Sequence, residues 1–508
     1  MKLVKSLLLG SAAGLTAVVG AQAADLPVQR AAPVEYVRVC TQYGAGFFFI
    51  PGTDTCLQIT GRVRAEYLFA ETFDRRSDGI GFLARGRLGV DARTNTEFGP
   101  LRAFFRYEIT RTTGAYRTSG GPIGADGDPS QESTSIIDTG TNLDRAFVQF
   151  GGLTAGRLQS FFDFYANALA FSANLGSDRV TNVLAYTATV SPGLTFTIAA
   201  EDGIERRTFA NFNSVTGIRN GELGGIGTVV NGVFFPASPI LSGAAETFNT
   251  PARLSTLGGQ TAPDGVANLD YTAAFGSARL SAAVHQVRGQ ALSGPVGGVR
   301  TGVVDTEYGF AVQGGVKINL PFIAAGDVLY LQAAYAEGAI NYLGFGSSTS
   351  TGTLSPLRLA QTDGFINGRG NIELTEGFSV VAAFQHYFTP QLRAGLIGSY
   401  GQLDYSRSGQ GVVTAEQSIR ITSANGGPGS ARLAGGRFGF VDTEEYRVEG
   451  NLIYSPVRDL DIGVDILYQN IDPKGRIVGL DRGAFDQRRR LVNDSDQLIG
   501  RLRIQRDF

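Results

Sequence analysis

Apolar and polar residues alternate with a period of two along most of this chain. In "LQITGRVRAEYLF" Leu57, Ile59, Gly61, Val63, Ala65, Tyr67 and Phe69 fall on one side, and Gln58, Thr60, Arg62, Arg64 and Glu66 on the other. "LRAFFRYEIT" does the same, with Leu101, Ala103, Phe105, Tyr107 and Ile109 opposing Arg102, Phe104, Arg106, Glu108 and Thr110. A period of two belongs to a β-strand whose two faces meet different surroundings. Here one face is apolar and the other carries guanidinium groups.

The pattern predicts strands at 57–69, 81–93, 101–110, 143–152, 154–160, 180–191, 193–202, 266–276, 277–288, 306–320, 327–337, 377–388, 391–402, 444–455, 459–470 and 496–508, sixteen in all. Their connections alternate in length. Tight ones lie at 97–100, 151–152, 191–193, 275–277, 388–390 and 455–459, and 321–326 is a little longer. Between them come long Gly/Ser/Thr-rich stretches near 112–142, 203–265, 289–305, 338–376, 403–443 and 471–495. Short periplasmic turns on one side and long extracellular loops on the other describe a sixteen-stranded antiparallel transmembrane β-barrel, an all-β fold.

A soluble β-sandwich also has alternating strands, but it would place Arg62, Arg64, Arg102 and Arg106 either in bulk water or in a dry core at prohibitive cost. A barrel in lipid removes the conflict, because the apolar face meets the membrane and the charged face lines a wet lumen. Sixteen strands leave an aqueous channel where eight would be filled by side chains. The chain has no Trp, so 33 Phe and 18 Tyr must supply the interfacial aromatic belts. Tyr67, Phe69, Phe98, Phe150, Tyr400, Tyr454, Tyr468 and Phe508 are candidates.

The termini add two constraints. "MKLVKSLLLGSAAGLTAVVGAQA" has Lys2 and Lys5, an apolar run and a small-x-small ending, and reads as a signal peptide over 1–23 that exports the chain. Residues 24–56 form a periplasmic lead-in, and 57–508 the barrel. Export favours a disulfide between Cys40 and Cys56, the only two cysteines. At the other end "QLIGRLRIQRDF" is a strand with an otherwise exposed edge; pairing with 57–69 would close the barrel. A net charge of −2 gives no reason to expect a nucleic-acid partner.

A wide tube needs something to narrow it. "SFFDFYANALAFSANLGSDRV" carries too many aromatics for a solvated loop and is expected to fold inward, constricting the pore at about 161–179 and presenting Asp163 and Asp178 to it. Arg62, Arg64, Arg85, Arg87, Arg102 and Arg106 share the inward register on the first three strands and form the facing wall. His285 and His386, the only histidines, have no Ser/Asp constellation around them, so no catalytic site is expected. No metal site or cofactor is expected either.

"EYVRVCTQYGAGFFFIPGTDTCLQITGRVRAEY", "GRLQSFFDFYANALAF" and the terminal Phe508 resemble the alphaproteobacterial, rhizobial-type outer-membrane porin family over nearly the whole mature chain. The resemblance implies a homotrimer in the bacterial outer membrane, among lipid and lipopolysaccharide, passing small hydrophilic solutes and ions by passive diffusion. It also implies that the third loop constricts the pore and that Phe508 is the signal read by the barrel-assembly machinery. Two features depart from the family pattern. The chain is long, with loops such as 203–265, which leaves open an adhesin, receptor or substrate-specific role. Arg506 also stands where an apolar or aromatic residue is usual.

Overall fold

The computed structural model describes residues 38–72, 78–118, 137–208, 227–230, 233–236, 254–293, 300–346, 348–350, 358–366, 371–406, 441–474, 477–480, 489–492 and 494–508. The expected signal peptide and the first part of the lead-in lie outside them, as do large parts of the long loops. Met1–Gln58 and Ile59–Phe508 separate as two compact units. In the first, Cys40 and Cys56 are joined by a disulfide with their Cα atoms 6.0 Å apart. The bridge is buried with Phe47, and Phe48–Phe49 pairs antiparallel with Cys56 and Leu57. A small unit with so little apolar core gains from a covalent staple.

The strands are β1 (Thr55–Ala70), β2 (Ile80–Thr96), β3 (Gly99–Gly114), β4 (Ile137–Phe150), β5 (Leu153–Gln159), β6 (Val180–Ser191), β7 (Leu194–Glu201), β8 (Asp264–Ala273), β9 (Gly276–Ser293), β10 (Arg300–Asn319), β11 (Val328–Glu337), β12 (Glu376–Thr389), β13 (Leu392–Asp404), β14 (Thr443–Val457), β15 (Leu460–Pro473) and β16 (Ser495–Asp507). Each pairs antiparallel with the next, and β16 pairs with β1, so the sheet closes as a sixteen-stranded antiparallel barrel. Leu254–Leu257 is a short addition to that sheet. Closure removes the edges that would otherwise recruit other chains.

Burial follows the sequence pattern. On β3, Leu101, Phe105, Tyr107 and Ile109 are exposed on the outer surface, while Glu108 is buried and Arg102 and Arg106 are half-buried inside. The closing seam runs in register from Arg62 opposite Asp507 to Ala70 opposite Ile499. Gly61 and Phe508 add one more pair, exchanging N–H···O bonds of 2.7 and 3.0 Å. The Phe508 ring lies where a Cβ on residue 61 would fall, 2.1 Å away, so only glycine admits it there. Arg506 points outward but bends to the carbonyl of Arg458 in the adjacent turn, which keeps its charge at the membrane boundary.

One expected loop is shorter than its composition suggested. The stretch 289–305 does not leave the sheet at once; β9 and β10 run 18 and 20 residues and pair as far as Ser293 and Arg300. They exceed the roughly 9–11 residues that a membrane-crossing strand needs, so this hairpin projects past the bilayer. β5 and β7, with 7 and 8 residues, fall below that length.

Candidate functional site: the lumen

Inward positions on β16 and β1 to β4 carry a continuous band of arginines. The strands hold them at every second residue, and carboxylates on neighbouring strands separate like charges. Arg62 meets Asp507 at 2.5 Å, and Arg64 donates to Oε1 of Gln505 at 2.7 and 2.9 Å. Arg503 lies 2.7 Å from Glu66, which also accepts from the Tyr116 hydroxyl at 2.5 Å. Arg87 pairs with Glu108, and Arg85 donates to Thr110 at 2.9 Å. Asp91 takes both Arg93 and Arg102, at 2.8 and 2.9 Å, and Arg106 pairs with Asp144. Arginines outnumber carboxylates along the band, so it keeps a positive field.

The third loop, residues 160–179 between β5 and β6, crosses the inside of the barrel. Irregular backbone at membrane depth must have its polar groups satisfied by the protein or by water. The inner wall supplies partners along the loop's length. Asn268 on β8 and Arg279 on β9 donate to the carbonyl of Phe161; Ser281 and Gln313, on β9 and β10, donate to that of Phe162. Gln332 on β11 accepts from the Tyr165 N–H at 2.9 Å. Further on, Glu449 on β14 accepts from the N–H groups of Phe171 and Ser172 at 2.5 and 3.3 Å, while Ser399 on β13 accepts from Leu175. Arg501 and Arg503 on β16 donate to the Phe171 carbonyl, and the Arg503 guanidinium stacks 3.9 Å over the Phe171 ring. Inward glycines make room for the aromatics: a Cβ on Gly315 would meet the Phe164 ring at 2.3 Å, and one on Gly463 the Phe171 ring at 2.6 Å.

A second core sits inside the barrel. Phe162 and Leu175 of the third loop pack with Ile340, Tyr342, Leu343 and Phe345 of the sixth, against Val266, Ala283, Ala311, Ala334 and Ala336 on the inward faces of β8 to β11. Small side chains on those strands leave the volume that the loops occupy. The lumen is thus packed along β8 to β13 and bordered by the arginines along β16 to β4.

A family model described as a porin subfamily matches residues 25–500. The chain belongs to this porin family. It is 40% identical to porin Omp2a of Brucella ovis over 210 residues, which covers 40% of this chain and 60% of the relative. It is 39% identical to porin Omp2b of Brucella canis over 208 residues, 39% of this chain and 54% of that one. The chain thus spans less than two thirds of the length of these relatives, which are named porins and not enzymes. Among solved structures it is similar to the outer membrane channel DcaP of Acinetobacter baumannii, with a TM-score of 0.52 and 16% identity over 91% of this chain and 99% of that one. That likeness concerns the fold alone. This porin is a multi-pass β-barrel of the bacterial outer membrane.

The porin's expected site residues divide in two. Arg62, Arg64, Arg85, Arg87, Arg102 and Arg106 all lie on the arginine band. Asp178 is exposed on the third loop and held by Gln159 and Asn167, each at 3.0 Å. Asp163, expected to face the pore, instead turns into the base of the loop, where it is 3% exposed. Four donors surround its carboxylate: Gln159, Ser177, the Arg179 N–H and Arg206. The loop needs an anion to gather its two ends, and that need outweighs solvation. Sequence reasoning missed Gln332, Ser399, Glu449 and Asn451, the last of which donates to the Leu169 carbonyl at 3.0 Å, as wall groups that seat the loop. Their signal was an uncharged polar residue or lone acid at an inward position between small apolar neighbours, as in "LQAAYAEG".

Proposed function

We propose that this porin forms a water-filled channel through which small hydrophilic solutes and ions diffuse passively, narrowed where the third loop passes the arginine band. The observation that carries the reading is the seating of the loop: its backbone groups are satisfied by the inner wall from β8 round to β16, far from where it leaves β5. A loop made for solvent would have no use for such partners. The excess of arginine along the open border favours anions over cations in the narrow region. The working assembly in this reading is a homotrimer in a membrane of lipid and lipopolysaccharide, which membership in the porin family supports.

Single-channel recording in planar bilayers tests this. The protein is expected to give stable ohmic steps with a reversal potential on the anion side in a salt gradient. Asp178→Cys, labelled with a positively or negatively charged thiol reagent, is expected to move that potential in opposite directions. Labelling without any change would remove the third loop from the conducting path.

Phe508 is the residue proposed to be read during assembly by the barrel-assembly machinery. It also completes the seam opposite Gly61. Deleting it is expected to lower the yield of folded, membrane-inserted barrel while leaving the conductance of those that insert unchanged. Normal insertion of the truncated chain would end this assignment.

A further inference from the structure

One buried charge outside the arginine band has no role in lining a channel. Arg206 lies just beyond β7, at the start of the fourth loop, and is 1% exposed. Its Nη2 donates to Oδ1 of Asp163 at 3.0 Å and its Nη1 to Oγ of Ser177 at 2.9 Å. These two residues belong to opposite ends of the third loop, so one guanidinium holds both. Its Cζ lies 4.0 Å from the centroid of the Tyr342 ring in the sixth loop. Glu201, at the end of β7, stands 4.0 Å from its Nε and accepts from Ser160 and the Phe161 N–H.

Other bonds join the same three loops. The Tyr342 hydroxyl donates to Asp264 at 2.7 Å, and Asp264 pairs with His285 on β9. Asp363 accepts from the N–H of Thr208 in the fourth loop and of Ile340 in the sixth, at 2.6 and 2.8 Å. The Gly176 N–H donates to the Leu343 carbonyl at 2.7 Å, and a Cβ on Gly344 would fall 2.4 Å from the Gly176 nitrogen. The third and sixth loops therefore touch backbone to backbone.

We propose that Arg206 is the positioning residue of the constriction: it locks the third, fourth and sixth loops into one block, so that the width and selectivity of the channel are set by three loops rather than by the third alone. This rests on the reading that the third loop narrows the channel. Removing the guanidinium leaves Asp163 and Glu201 as buried carboxylates without their shared cation, which is unfavourable enough to drive the loop ends apart. The sixteen strands pair without Arg206, so the barrel wall is separable from the lock.

The test is bilayer recording of full-length Arg206→Met, Arg206→Lys and Asp163→Asn, with heat-modifiable migration on gels reporting the folded barrel. Arg206→Met is expected to fold, to lose the single conductance level in favour of larger, fluctuating steps, and to lose part of its ion selectivity. Lysine keeps the charge but cannot fork between Asp163 and Ser177, so that variant is expected to fall between. Adding Asp163→Asn to Arg206→Met removes one of the two carboxylates left without a cation and is expected to restore part of the single conductance level. A folded Arg206→Met with wild-type steps overturns the proposal, as does a chain that no longer forms a barrel, which would make Arg206 part of the wall's own stability. The Asp178→Cys labelling keeps the two readings apart. If labelling alters the current while Arg206→Met does not, the constriction stands and the lock falls; if labelling does nothing, the constriction itself fails.

Discussion

Two arcs of the inner wall are built by opposite rules. Along β16 and β1 to β4, inward positions carry arginines that mostly remain partly exposed, each set against an acid, as Arg62 is with Asp507 and Arg102 with the buried Asp91. Along β8 to β14 the inward positions are small or polar but mostly uncharged, such as Asn268, Ala283, Gln313, Ala334 and Ser399, and they are buried. A charge can line a lumen only where water reaches it, and a buried loop needs volume and hydrogen-bond partners instead. The residue types on each arc thus report what covers it.

The largest effect should come from disturbing the covered arc at a buried charge that anchors the loop. Glu449 is fully buried and accepts from Phe171 N–H, Ser172 N–H and the Asn174 side chain. Glu449→Leu orphans these donors, at about 1–3 kcal/mol each where they stay buried. The far half of the third loop is then expected to detach and become cleavable by added protease between 166 and 176, with a rise in conductance. Uncut protein with unchanged steps would show that the uncharged wall groups suffice.

That asymmetry explains which parts the sequence made legible. On the arginine arc the alternation Arg62, Arg64, Glu66 is unbroken, so strand register and the inward set follow from period two alone. The seam is legible for the same reason, since "QLIGRLRIQRDF" continues that pattern to the last residue. On the covered arc, "SAAVHQVRG" and "YGFAVQGG" mix small, apolar and polar residues on both faces, so period two does not tell a face packed with loops from the other one. Asp163 was misplaced because its partner Arg206 lies 43 residues further along the chain, and nothing local in "SFFDFYAN" announces a buried ion pair. The extent of β9 and β10 was missed because glycine and glutamine near 289–290 read as loop, whereas pairing across the hairpin decides it.

A smaller effect is expected on the open arc. Arg87 and Arg106 sit on adjacent strands, and their partners Glu108 and Asp144 are also inward. Arg87→Glu with Arg106→Glu reverses the local charge while leaving strand pairing intact, because the ladders from β2 to β4 are made by the backbone and both guanidinium groups keep part of their surface in water. The reversal potential is expected to move toward cations with little change in step size. A change in step size without a change in selectivity would place the narrowest point away from this arc.

The smallest expected effect needs no substitution. Screening shortens from about 10 Å at 0.1 M salt to about 3 Å at 1 M, so a field summed over spaced arginines fades as salt rises. The open arc acts on passing ions through that field, whereas the covered arc acts through packing and buried hydrogen bonds, which salt barely touches. Anion preference is therefore expected to weaken steadily between these concentrations in wild-type channels, while the conductance, corrected for bulk conductivity, stays level. In Glu449→Leu channels the same titration is expected to start from a weaker preference, since a withdrawn loop leaves ions farther from the arginines. Preference that survives 1 M salt undiminished would mean that anions touch the guanidinium groups directly, and the open arc would then be a binding surface instead of a field.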